Sequence, residues 1–157
     1  LISRIYRVRR DKEKAVAAMI REVQNNPENM KSVVELAELH MEYEQYDDAI
    51  RQLAKVANLP SVVKAPEYYQ DKVRAFLLLS RCYRAKNLAE SAEGAIKLAV
   101  ELDPNDPELQ KELGYVFYAL QRDKEGVRAF ERYLERNPAA ADAETIKGLI
   151  DRMRIEE

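Results

Sequence analysis

A single cysteine and a single histidine set the first limits on this chain. Cys82 alone builds neither a disulfide framework nor a thiolate metal cluster. It is expected as a small buried hydrophobe, in keeping with a reducing, cytoplasmic compartment. His40, the one histidine, leaves nucleophilic and acid–base chemistry without a convergent set of groups. A glycine-rich phosphate loop, a two-histidine zinc motif and a calcium loop are also missing. The carboxylate pairs Asp47-Asp48 and Glu156-Glu157 read as a turn and a solvated terminus. No catalysis, cofactor or metal is expected.

Charge of one sign is lacking too. Lys+Arg 26 and Asp+Glu 28 nearly cancel, whereas a nucleic-acid binder driven by bulk charge carries a clear basic excess, so nucleic acid is not an expected partner. Only four glycines and six prolines occur, with no low-complexity tract, which argues against disorder. No stretch reaches the ~18 consecutive apolar residues of a bilayer span. Because the chain starts at Leu1 rather than methionine, it is expected to be a piece of something longer, which a signal or membrane anchor can precede.

What the chain has is a repeat. Leu79 and Ser80 are matched 34 residues later by Leu113 and Gly114, and Tyr83 by Phe117. Ala92 then pairs with Gly126, Ile96 with Phe130, Ala99 with Tyr133, and Pro104 with Pro138. A fixed period of this length marks a helical array. Counting backwards, Leu36, Ala37, His40, Ala49, Leu53 and Val56 form an earlier copy, with His40 in the aromatic slot and therefore expected to pack. Ile2, Ser3, Tyr6, Ala15, Met19 and Glu22 form a first, partial copy in which Glu22 departs from the apolar type. The interval from Leu36 to Leu79 is 43 residues. The extra residues fall around Ser61–Lys72, read as a longer connection and a first helix that begins early, near Pro66. Asn105-Asp106-Pro107-Glu108 is a polar cap followed by an early proline, a helix start. After Pro138 the period fails, but Ile146, Leu149, Ile150 and Met153 keep the spacing of a one-faced helix, as a cap over the last repeat requires.

Physically, small residues at Ala37, Ser80 and Gly114 let helices approach closely, and bulky partners such as Ile96 and Phe130 fill the space beside them. The pattern resembles the tetratricopeptide repeat: a large apolar residue, a small one and an aromatic on the first helix, then alanine and bulky apolar residues on the second. The resemblance implies an all-α, right-handed superhelix of antiparallel helix pairs with a C-terminal capping helix, forming one solenoid domain over 1–157. Its units are expected at about 1–29 (partial), 30–61, 66–106 (extended first helix) and 107–139, with the cap over 140–157.

The resemblance also implies a non-catalytic scaffold or adaptor, whose first helices line a concave groove for a partner peptide or helix. Carried onto this chain, the groove face presents Arg4, Arg7, Lys31, Glu38, Met41 and Glu42, continues with Arg74, Arg81 and Arg84, and ends with Lys111, Tyr115 and Tyr118. Arginine and tyrosine are favoured at binding hot spots, and arginine suits carboxylates. An acidic or C-terminal peptide segment is therefore expected across Arg74, Arg81, Arg84, Tyr115 and Tyr118. The lysine and asparagine set with which some relatives clamp a terminal carboxylate is not reproduced, since Leu77 and Arg81 stand in its place.

An alternative reading is a self-assembling or membrane-tethered assembly subunit, a homo-oligomer built through the open N-terminal repeat. Arg4, Arg7, Arg9 and Arg10 would suit the cytoplasmic side of a bilayer, or simply the charged outer face of a first helix. Tyr68 and Tyr69 read equally as an exposed aromatic contact or as packing under the longer connection.

Overall fold

The computed structural model describes residues 11–58 and 66–155. They form α1 (Lys12–Asn25), α2 (Met30–Glu42), α3 (Tyr46–Ala57), α4 (Pro66–Ala85), α5 (Ala89–Leu102), α6 (Pro107–Ala119), α7 (Asp123–Arg136) and α8 (Ala143–Ile155), with no strand among the described residues. The first partial copy's Ile2, Ser3 and Tyr6, the run from Arg4 to Arg10, Ser61–Ala65 of the insertion and Glu156-Glu157 lie outside these bounds.

Local signals place the helix ends. Asp11, Asn29 and Asp106 each cap a helix by accepting a backbone N–H, and Pro107 follows Asp106 at the first helical position. The turn inside each helix pair is one motif used three times. Glu44, Asn87 and Gln121 hold φ of 60°, 58° and 56°. The N–H of the next residue, Gln45, Leu88 or Arg122, reaches back to the carbonyl of His40, Tyr83 or Phe117. This is the left-handed helix ending that satisfies the last free carbonyls, and it turns the chain directly into the second helix.

Each helix packs on its sequence neighbour, and α2 also packs on α4 and α4 on α6. The first helices α2, α4 and α6 therefore form an inner row, flanked by the second helices. Buried stripes recur at helical spacing: Ala15, Met19 and Val23 on α1, Ala49, Leu53 and Val56 on α3, and Ala92, Ile96 and Ala99 on α5. Burying one such Leu or Ile contributes about 1.5–3 kcal/mol. Helix α4 serves two apolar clusters, with Leu79 and Cys82 toward α2 and α3, and Val73 and Leu77 toward α5 and α6. A third cluster joins Phe130 and Tyr133 of α7 to Ile146, Leu149, Ile150 and Met153 of α8.

The two sequence departures are accommodated by polar partners. His40 is buried in its packing slot with Nδ1 2.7 Å from Gln45 Oε1. Glu22 accepts a hydrogen bond from the Ser32 hydroxyl at 3.3 Å. The insertion lengthens α4 to 20 residues against 13 for α2 and α6, as Pro66 foretold. Within that extension the Tyr69 hydroxyl donates to the Leu102 carbonyl at the end of α5, so Tyr69 braces the array while remaining part-exposed.

Candidate partner-binding groove

The inner row carries Glu38 and Met41 on α2, Arg74, Arg81 and Arg84 on α4, and Lys111, Tyr115 and Tyr118 on α6. Repeat spacing puts Met41, Arg84 and Tyr118 in one slot of three successive inner helices, and Glu38, Arg81 and Tyr115 in another. Helices α2, α4 and α6 pack side by side, so these slots form rows across the face.

The cations of this face bond to carboxylates of the chain itself. Arg74 donates through Nε to Glu38 Oε1 at 2.7 Å. Arg81 donates to Glu108 at 3.1 Å and stands 3.6 Å from Glu112. Arg84 grips Glu112 with a fork, Nε to Oε1 at 3.0 Å and Nη2 to Oε2 at 3.1 Å. The Glu112 side chain is only 2% exposed and also accepts from the Ser80 hydroxyl at 3.3 Å. A buried carboxylate needs this degree of pairing, because an uncompensated buried charge is costly. The guanidinium of Arg84 lies 5.0 Å from the centre of the Tyr115 ring, which meets Phe130 edge-on at 5.2 Å. Arg84 is thus held by a fork on one side and a ring on the other.

Lys111 joins α6 to the start of α8. Its Nζ is 2.8 Å from Glu108 Oε1 and 3.2 Å from Asp142 Oδ2, and it lies 5.0 Å from the Tyr133 ring centre. The Tyr133 hydroxyl donates to Asp142 Oδ1 at 2.5 Å. That bond above all, with help from Lys111, holds the Asp142 carboxyl below the usual carboxylate range. Burial, then the bond to Asp142, pushes the Tyr133 phenol up. Burial acts to lower Lys111, but Glu108 and Asp142 outweigh it and raise the ammonium. Tyr118, by contrast, is 41% exposed. Arg4 and Arg7 lie outside the described residues, and Leu77, in the clamp position, is buried in the core.

Residues 79–151 match the family model of the tetratricopeptide repeat. Those residues belong to the tetratricopeptide repeat family. Among solved structures, MamA superposes with a TM-score of 0.76 at 20% identity, covering 98% of this chain and 88% of that one. PilF of Pseudomonas aeruginosa gives 0.74 at 10% identity over 98% and 71%. PcrH in complex with the chaperone-binding region of PopD gives 0.69 at 16% identity over 83% and 95%. At these identities the likeness shows the fold, a tetratricopeptide superhelix. No curated protein matches the chain in sequence.

Viewed as tetratricopeptide repeats, the residues missed by sequence reasoning are Glu108, Glu112 and Asp142. Each had a signal. Glu108 and Asp142 follow Arg74 at successive steps of 34 residues, so acids stand one and two repeats on in the slot of a cation. Glu112 takes the slot of Leu78, a charge where the preceding repeat buries leucine. His40 and Cys82 are both buried, and burial raises the Cys82 thiol to about 11. Among the described residues no cluster of potential metal ligands assembles.

Proposed function

We propose that this chain is a non-catalytic interaction module that holds a segment of a partner protein across its inner helix row. The observation that carries the proposal is the continuous face spanning α2, α4 and α6, where Arg84 is locked between Glu112 and Tyr115 and the exposed Tyr118 takes the same slot on the next inner helix. Rigid aromatic and arginine groups are the types that anchor interfaces, since little entropy remains to be lost on binding. PcrH, which shares the fold, is seen with a region of PopD, in line with such a use of the architecture. Glu38, Met41, Arg74, Arg81, Arg84, Lys111, Tyr115 and Tyr118 form the proposed contact surface. The buried Cys82, with its thiol raised far above neutral pH, is a poor nucleophile, which favours binding over catalysis.

Selection of a random peptide library displayed on phage tests this reading. Recovered peptides should lose about tenfold or more in affinity on Tyr118→Ala or Met41→Ala. They should be indifferent to Leu98→Ala, on the exposed side of the outer helix α5. Peptides that bind all three variants equally well would remove the groove reading.

A further inference from the structure

The inner-face cations of α4 and α6 are charge-compensated, whereas Lys31 of α2, in the slot of Arg74, is exposed and takes no part in these pairs. Arg74, Arg81, Arg84 and Lys111 are matched one for one by Glu38, Glu108, Glu112 and Asp142. A partner carboxylate drawn to Arg84 would also meet Glu112, so attraction to one is largely cancelled by repulsion from the other. To bind as a free cation, the arginine would first have to leave a forked bond to a buried acid, which strands that acid.

Donor capacity nevertheless remains. A guanidinium carries five N–H groups. Arg84 gives Nε and Nη2 to Glu112, and its Nη1 donors meet no acceptor among the described residues. The side chain is 36% exposed, so these donors are reachable. Around them the same helix ends present the exposed Tyr118, the part-buried Met41, and Ala85 and Ala119, both exposed. Glu42 of α2 takes the slot of Ala85 and Ala119, so the ledge carries an acid at that end, and fixed donors beside the apolar groups suit a carbonyl oxygen and an apolar side chain.

We infer that the groove takes an uncharged partner segment, which offers a main-chain carbonyl to Arg84 and seats an aromatic or long aliphatic anchor beside Met41 and Tyr118. The inference rests on the groove reading above and replaces the acidic segment expected from the sequence with a neutral one. Methionine and tyrosine accommodate such an anchor without demanding one shape.

The same displayed library decides it when the charge of the enriched peptides is counted for the native chain and for Glu108→Gln. Glu108 is part-exposed, so this variant removes one compensating carboxylate without opening the core. The native chain should enrich peptides with no excess of Asp or Glu. Their affinity should change less than about twofold between low and high salt. Glu108→Gln should shift enrichment toward acidic peptides and introduce a salt-dependent loss. Native enrichment of acidic peptides that still need Tyr118 and weaken with salt would overturn the inference while leaving the groove intact. Peptides indifferent to Tyr118→Ala and Met41→Ala would instead overturn the groove itself, and this inference with it. An unchanged peptide charge in Glu108→Gln would also count against compensation as the source of selectivity.

Discussion

Gly114 and Gly148 stand in the same repeat slot, 34 residues apart, and should respond to alanine with opposite signs. An added Cβ at Gly114 would lie 2.5 Å from Cδ1 and Cε1 of Phe130, against ~3.5–4.0 Å for a normal carbon contact. Phe130 is fully buried on α7, so its ring has no solvent to swing into, and α6 and α7 must move apart. Overpacking of this kind costs about 1–3 kcal/mol, and the better helix propensity of alanine returns about 1 kcal/mol. Gly114→Ala is therefore expected to lose about 1 kcal/mol, and at most about 2. At Gly148 on the capping helix nothing lies within 4 Å of the added atom. Only the propensity acts there, and Gly148→Ala should gain about 0.5–1 kcal/mol. Thermal denaturation followed by helical circular dichroism reads both changes, and each kcal/mol should move Tm by about 2–4 °C. Combining Gly114→Ala with Phe130→Leu, which restores the small–aliphatic pairing of Ala37 and Leu53, should recover part of the loss through coupling. Equal stabilisation by both alanines would refute the close approach of Phe130 to α6.

Glu44→Gly and Gln121→Gly should each stabilise by about 0.5–1 kcal/mol in thermal denaturation, since both residues sit at positive φ where a Cβ is strained. Asn87→Gly should gain less, as asparagine tolerates that region, and a loss at Glu44 or Gln121 would show that their side chains outweigh the backbone term. Gln110 is buried and its Oε1 has no partner among the described residues, so Gln110→Met should be neutral or gain about 1 kcal/mol by urea midpoint; a clear loss would disprove a wasted polar group. For pH, the folded state holds Asp142 below its unfolded value, so its contribution is present above about pH 4 and disappears as pH falls through the lower, folded value. Asp142→Asn should therefore show a shallower loss of Tm from neutral to acid pH. Tyr133 is raised, so its contribution is present below about pH 10 and lost as pH rises through the higher, folded value; Tyr133→Phe should flatten the alkaline side.

The fold was legible because its determinants are local and repeated. The slots of Leu79, Ala92 and Ile96 recur at a fixed period, and size class alone says that such residues face a neighbour helix. Pro66 marked the early start of α4 because proline is tolerated only in a first turn. His40 was assigned to packing by its repeat slot and Cys82 by the usual burial of a free cysteine, and both are buried. Tyr69 was not assignable. Its bond to the Leu102 carbonyl spans two helices and depends on how far α4 projects, which no local pattern encodes.

The groove was half legible, for a physical reason. Sequence places Arg74 and Arg81 on the exposed side of one helix, and a lone helix with such a face looks ready for an anion. What decides their availability is the next helix over. Glu38 of α2 meets Arg74 of α4, and Arg81 of α4 meets Glu108 of α6. These are the same two slots used twice with the signs exchanged: acid to cation across the first junction, cation to acid across the second. Arg74 and Arg81 of α4 are thus held between Glu38 of α2 and Glu108 of α6, and swapping α4 with α2 or α6 would set Glu38 against Glu108. Surface pairs of this type add little stability, so their main effect is on specificity, fixing which inner helix sits beside which. That use of charge occupies the cations of α4 and α6 within the chain, and on the reading inferred above a partner would be recognised by fit around Arg84, Met41 and Tyr118 rather than by net charge. Repeat proteins are therefore read for ligand charge by pairing slots across adjacent repeats, since the exposed face of one helix shows only half of each rung.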